Sequence, residues 1–192
     1  KGSLTRSSLR SDNDPLSQFE DWFQAAKQAR EKAPETTIFT TVRMPEGRPS
    51  SRIVYLKEKN DRNGGVAEKD DVLASGFVIY SNWGTSQKSA DLKTNPLVGL
   101  TFWGASMERQ VHIQGRAVKL TLGEGEGTSN SAQKYYSTRL LGSRIGACAS
   151  RQSTPIDNDR KMLDEWVHQT EERFENRDED IPCPPYWGGV GL

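Results

Sequence analysis

Cysteine and histidine are scarce in this chain. Its 192 residues include two cysteines, Cys148 and Cys183, and two histidines. Cysteines so far apart, with so few histidines, make neither a disulfide framework nor a zinc site. No metal is therefore expected, and a reducing compartment is the default. Net charge is missing too: 26 basic residues balance 26 acidic ones. That removes the basic footprint of a nucleic-acid binder and the attraction to an anionic membrane. Apolar residues make up only 33% of the chain, and no apolar run approaches the roughly 18 residues of a membrane span. No signal peptide is visible. A cytoplasmic protein is the expectation, and the start at Lys1 leaves mitochondrial targeting open.

What remains is enough for one domain with a real core. The polar start, 1–13, reads as a flexible segment, and 14–192 as a single domain with loop insertions at 59–76 and 123–131. Asp14-Pro15 is an N-cap followed by proline at the first helical position. Leu16, Phe19, Phe23 and Ala26 follow at helical spacing, which predicts a helix from Pro15 to about Lys32. Thr36 to Val42 is β-branched and strand-like. A turn at 45–49 joins it to a second strand, making a hairpin.

That second strand carries Arg52-Ile53-Val54-Tyr55-Leu56-Lys57. Period two places Arg52, Val54 and Leu56 on one face, and Ile53, Tyr55 and Lys57 on the other. Two readings stay open: an edge strand with solvated charges, or cations facing bound anions, because a buried unpaired charge is costly. Phe77 to Tyr80 is a further strand, running into a polar turn at 81–86. A helix begins near Ser86 and ends by Asn95-Pro96. Lys88 falls in its first turn, where a cation opposes the helix dipole unless an anion is present. A solvated lysine is the other reading.

Leu97 to Trp103 is a strand, and Arg109 to Leu120 alternates strictly, as one long antiparallel strand with a wet face. His112 falls on that wet face with no aligned carboxylate or cysteine, so no base or metal ligand is assigned there. Gly123 to Gly127 carries two glutamates, which makes it no phosphate cradle. A short helix at 132–138 precedes the stretch 139–153. Its arginines, serines and glycines read either as a polar loop or as phosphate recognition by forked donors. A last helix spans 157–174, and the tail from Ile181 is extended. The predicted fold class is α+β, mainly β: five or six antiparallel strands in a small barrel with flanking helices.

Several of these stretches occur together in a recognisable order. RIVYLK at 52–57, YSNWGTSQK at 80–88, Glu108-Arg109-Gln110 and RLLGSRIGACASRQS at 139–153 run between a DPLSQFEDWF helix and an IPCPPYWGG tail. The set resembles the pyridoxine/pyridoxamine 5′-phosphate oxidase family, with fungal-like wording in the tail. The resemblance implies the antiparallel FMN-binding split β-barrel, a homodimer with two FMN sites at the subunit interface, and small-molecule vitamin B6 phosphates as substrates. It implies oxidation of the 4′ carbon to the aldehyde of pyridoxal 5′-phosphate, with oxygen giving hydrogen peroxide. The flavin then carries the chemistry, which agrees with the lack of an acid–base triad.

Carried over residue by residue, the resemblance assigns Arg52, Ile53, Val54, Tyr55, Leu56, Lys57, Tyr80, Ser81, Gln87, Lys88, Gln110, Gln152 and Ser153 to FMN, some of them across the dimer. It assigns Lys57, Tyr135, Arg139 and Ser143 to the substrate phosphate. The departures are Gln87 where the family has arginine, Leu141 where a second arginine is usual, and Cys148 where tryptophan is common. Losing one charged hydrogen bond costs roughly 1.5–3 kcal/mol, enough to weaken FMN binding without abolishing it. The family pattern continues beyond Trp-Gly-Gly with an Arg-Leu-His-Asp-Arg motif at the reacting ring, which lies outside this sequence, so no catalytic residue is assigned. These departures frame an alternative expectation: a non-catalytic or repurposed paralogue that binds FMN or pyridoxal phosphate.

Overall fold

The computed structural model describes residues 4–11, 14–60, 76–120, 129–156, 159–175 and 181–192. Helix α1 (Pro15–Gln28) starts where the sequence predicts, with the Asp14 carboxylate accepting from the Leu16 N–H. It stops at Gln28, short of Lys32; Arg30 and Ala33 then adopt left-handed backbone at φ 55° and 51°, which an α-helix cannot continue through. Strand β1 (Thr36–Arg43) and β2 (Arg48–Asn60) form the expected hairpin, with Ile38 opposite Ile53 and Thr36 opposite Tyr55. β3 (Gly76–Asn82), α2 (Gln87–Thr94) and β4 (Leu97–Gly104) follow. The predicted loops 59–76 and 123–131 lie largely outside the described residues.

The expectation of one strand from Arg109 to Leu120 is corrected. The chain forms β5 (Arg109–Arg116) and β6 (Val118–Leu120), broken at Ala117, whose N–H donates to the Pro96 carbonyl. β5 pairs with β4, while β6 pairs with β7 (Trp187–Gly191). The sheet order is β5-β4-β1-β2-β3-β7-β6, so the two halves of one alternating segment occupy its two ends. The break lets the two halves pair at opposite ends of the sheet, which curls as an antiparallel half-barrel. With β7 there are seven strands among the described residues, against the five or six expected. The alternation itself holds: residues of β5 switch between half-buried and exposed, and His112 is exposed.

A second correction concerns 139–153. This stretch is not a loop; most of it is helix α4 (Leu141–Ala149). It follows α3 (Ser129–Ser137) and precedes α5 (Lys161–Arg173). Glycine at 142 and 146 lowers helix propensity, which hid the helix from sequence reasoning. Both glycines leave open space around a virtual Cβ, so neither is there for packing.

The barrel interior is filled by Phe39, Leu100, Ile79 and Val190, all fully buried. α1 closes one side by setting Phe19 against Phe77 and Phe102, each 5.0 Å away between ring centroids.

The edge-strand reading of β2 is also overturned: β2 is central, between β1 and β3. It uses its two neighbours over different lengths. Residues 48–55 pair with β1, whereas β3 joins only from Leu56 onward, opposite Ile79, with a register irregularity between Leu56 and Glu58. On its other edge β3 pairs with β7 over residues 78–82, with Tyr80 opposite Gly189 and Ser81 opposite Gly188, and past Ile79 β7 is its only strand partner among the described residues. The sheet therefore splays between residues 53–55 of β2 and 80–81 of β3.

Candidate functional site

The splay opens a cavity of about 550 Å³. Ile53, Val54, Tyr55 and Lys57 form one wall, and Tyr80 and Ser81 the other. Tyr135, Thr138 and Arg139 from the end of α3 and the following turn, and Ser143 from α4, close the third side. All four residues assigned to the substrate phosphate, and five further residues assigned to FMN, thus line one cavity.

Its floor is aromatic. Tyr80 stacks on Tyr135 at 4.5 Å between centroids, and Trp187 lies parallel to Tyr80 at 6.5 Å. The Arg139 guanidinium sits over the Trp187 ring at 4.4 Å. Burial pushes the Arg139 pKa down, with Tyr135 and Tyr136 opposing. One terminal nitrogen of Arg139, and the indole N–H of Trp187, are buried without a hydrogen-bond partner. Unsatisfied buried donors are costly unless a ligand or water accepts from them. Thr138, Leu140 and Trp187 are wall residues that sequence reasoning left unassigned; for Trp187 its place in the Trp-Gly-Gly tail was the available signal.

Beside the cavity lies a second, polar cluster at the N-terminus of α2. Lys88 is only 5% exposed and donates to Gln152 Oε1 at 2.5 Å. Ser81 reaches the same oxygen at 3.5 Å, so Ser81 joins the cluster to the cavity. The Gln87 N–H donates to Ser153 Oγ at 2.9 Å, and Ser153 holds a left-handed backbone at φ 62°. A non-glycine residue in that region is strained and tends to mark functional sites. The Ser86 hydroxyl is buried without a partner at the start of the helix. The solvated reading of Lys88 is therefore wrong: burial, and then the nearby Arg52 charge, lower its pKa from the ordinary 10.5 to about 8.

Arg52 faces inward, away from the cavity. It donates to the Phe39 carbonyl, Thr41 Oγ1 and Ser50 Oγ at 2.8–3.0 Å, and lies 3.8 Å from Asp91 Oδ2. Asp91 is fully buried on α2. It also accepts from Thr41 at 2.6 Å and Gln87 at 2.7 Å, and pairs with Arg43 at 3.3 Å. This carboxylate ties β1, β2 and α2 together. Sequence reasoning missed it, because a lone aspartate in a short polar helix looks like surface. Two assigned residues fall elsewhere: the Leu56 side chain packs in the core, and Gln110 is exposed on β5, opposite Trp103 of β4.

An antiparallel sheet curled into a half-barrel and splayed at a cavity defines the class: a split barrel. Comparison with known proteins narrows this. The family model described as pyridoxamine 5′-phosphate oxidase matches residues 23–172. The pyridoxamine 5′-phosphate oxidase of Saccharomyces cerevisiae is 43% identical over 181 residues, covering 94% of this chain and 70% of the yeast protein. The probable pyridoxamine 5′-phosphate oxidase of Schizosaccharomyces pombe is 40% identical, covering 100% and 74%. The chain belongs to the pyridoxamine 5′-phosphate oxidase family.

Solved structures agree on the fold. PhzG from Burkholderia lata, in complex with tetrahydrophenazine-1-carboxylic acid, superposes with a TM-score of 0.77 at 21% identity, covering 99% of this chain and 81% of that one. A pyridoxamine 5′-phosphate oxidase-related, FMN-binding protein from Nostoc punctiforme gives 0.65 at 12% identity, covering 93% and 80%. Among the described residues no helix is long and apolar enough to cross a membrane, and no group of three metal-ligating side chains occurs.

The buried Lys88 makes a measurable prediction. Between its folded pKa near 8 and the usual 10.5, the unfolded chain holds a proton that the folded chain has released. Stability then rises with pH across that window. Cys183, pushed up to about 11 by burial, acts in the opposite sense but is common to wild type and variant. The stability of the ligand-free wild type relative to Lys88→Met should therefore climb with pH in denaturant titrations. A flat difference would contradict the buried lysine.

Proposed function

We propose that this protein is an FMN-dependent oxidase. It converts pyridoxamine 5′-phosphate or pyridoxine 5′-phosphate to pyridoxal 5′-phosphate and reduces oxygen to hydrogen peroxide. The observation that carries this reading is the buried, hydrogen-bond-free nitrogen of Arg139 in a cavity shared with Lys57, Tyr135 and Ser143. This set matches a phosphate monoester: a forked cation, an ammonium and hydroxyls around a common space.

The residues present fit FMN as well. Lys88, Gln152, Ser153, Ser81 and the orphaned Ser86 hydroxyl surround the N-terminus of α2, where free N–H groups and the helix dipole favour an anion. Arg52 adds positive charge behind them, held in place by Asp91. Gln87 bonds Asp91 rather than facing solvent, so the arginine usual there is replaced by a residue that reinforces the carboxylate. When bound, FMN supplies the acceptor for the hydride leaving the 4′ carbon and passes the electrons to oxygen. The chain's own part is positional: Arg139, Lys57 and Ser143 anchor the phosphate, and Tyr80, Tyr135 and Trp187 give flat surfaces that orient an aromatic ring. In this reading 14–192 acts as one cofactor-binding domain.

The active unit is a homodimer. Ile53, Tyr55, Ile38, Leu97 and Trp103 share the outer face of β2-β1-β4, and are 43–68% exposed. An apolar face of this kind marks an interaction surface. Cross-strand pairing puts Gln110 on the same face, beside Trp103. That supports delivery of Gln110 to the partner's cofactor and accounts for its distance from the cavity residues of its own chain.

Three results would check this reading. The purified protein should bind FMN, show a flavin absorbance spectrum and release peroxide with pyridoxamine 5′-phosphate; binding without turnover would contradict the enzymatic part. Arg139→Ala should raise KM for the phosphorylated substrate at least tenfold, from a lost charged hydrogen bond of about 1.5–3 kcal/mol, with FMN affinity little changed. Trp103→Glu should shift the protein to monomer in sedimentation and weaken FMN; an unaltered dimer would remove this face from the interface.

A further inference from the structure

The two cysteines, remote in sequence, meet in the fold. Cys148 lies near the end of α4, and Cys183 in the segment leading to β7. Cys148 Sγ is 3.9 Å from the Pro182 carbonyl oxygen, the peptide group that leads directly into Cys183. Peptide geometry then puts the Cys183 Cα no more than about 7 Å from the Cys148 sulfur. Both thiols are free and partly buried. Cys183 packs against the cluster of Tyr136, Ala147 and Trp187, and the Tyr136 hydroxyl lies 3.3 Å from Cys148 Sγ.

The two positions differ in access. Cys148 lines a separate cavity of about 290 Å³ with Asn82, Thr85, Ser150, Arg151 and Tyr186. Cys183 is not among its lining residues. A small oxidant can reach Cys148 through this cavity, while Cys183 lies outside its lining, as expected of an attacking and a resolving thiol.

We propose that Cys148 and Cys183 are a modification site, oxidised by hydrogen peroxide to an intramolecular disulfide. The source of peroxide rests on the oxidase reading above; the site itself does not. The Cys148 thiolate attacks one peroxide oxygen and becomes a sulfenic acid, and the expelled hydroxide takes up a proton as water. The Cys183 sulfur then attacks the sulfenic sulfur, forming the S–S bond and expelling a second hydroxide, which leaves as water with the Cys183 proton. The two thiols lose two electrons and two protons; peroxide gains them as two molecules of water.

The bond has a structural consequence. α4 carries Ser143, and β7 carries Trp187, both walls of the main cavity. A disulfide ties α4 to the segment that leads into β7, where Cys183 packs against Trp187, so the oxidation state of the pair reaches the cavity wall. Burial raises the Cys183 pKa to about 11, which slows the resolving step without blocking it.

The test uses FMN-loaded protein and added hydrogen peroxide, so it does not depend on turnover. Peptide mapping by mass spectrometry should show a Cys148–Cys183 link that dithiothreitol reverses. Cys148→Ser and Cys183→Ser should each abolish it, with Cys183→Ser carrying oxidation onward to the sulfinic acid at Cys148. Both variants should keep the reduced enzyme's flavin spectrum, which shows that they fold. Oxidation of wild-type Cys148 straight to sulfinic acid, a link between two chains, or no reaction would each overturn the proposal. Failure of the peroxide-release assay would instead strike the oxidase reading and leave this result standing.

Discussion

The site exists because β2 cannot pair with β3 along its whole length. β2 is bonded to β1 as far as Tyr55 and to β3 only from Leu56. An N–H left unpaired in a sheet is a cost unless something else accepts from it. The Leu56 N–H donates to the Glu35 carbonyl on the β1 side. Alternation along an antiparallel strand then turns the N–H groups of Ile53 and Tyr55 the other way, into the cleft. The splay thus presents backbone donors, an aromatic floor and the cations Lys57 and Arg139 in one opening. β5 and β6 stand at the two ends of the sheet order, so the splay lies within the sheet, between two of its inner strands.

Charge is organised around the same opening. Asp91 gathers Arg43, Arg52, Thr41 and Gln87 at the rear, which holds Arg52 rigid and partly neutralised. Lys88 has no carboxylate of its own among the hydrogen bonds described; it donates to the neutral Gln152. A buried ammonium with only a neutral acceptor is poised for an anion. Arg139 repeats the pattern on the other side, braced on Trp187 with a nitrogen left over. The two phosphates of the proposed reaction thus meet two separately prepared cations. Cys148 and Cys183 sit just behind this wall.

Much of this was legible in the sequence, and the failures have physical causes. The hairpin, α1 and α2 could be placed because their signals are local: an N-cap with proline, β-branched runs and a proline stop. The four residues assigned to the substrate phosphate do line one cavity, although only ordered motifs, not any single one, pointed to them. The break at Ala117 was illegible because alternation continues through it, and the change of partner strand is a tertiary event. α4 was hidden by its glycines and its high content of small and polar residues. Asp91 looked like a surface carboxylate until the fold placed two arginines against it. Gln110 falls on β5, away from the cavity, because its register against β4 is a tertiary property that the sequence does not display.

The central claim is that ligand binds where β2 and β3 part. Amide hydrogen exchange, compared with and without FMN, tests it most directly. The account predicts that the N–H groups of Ile53 and Tyr55, exchanging in the free protein, become protected when FMN is added, together with the N-terminus of α2. Protection confined to a second groove, lined by Phe19, Trp22 and Phe23 of α1 and Phe102 and Trp103 of β4, with Ile53 and Tyr55 unchanged, would contradict it.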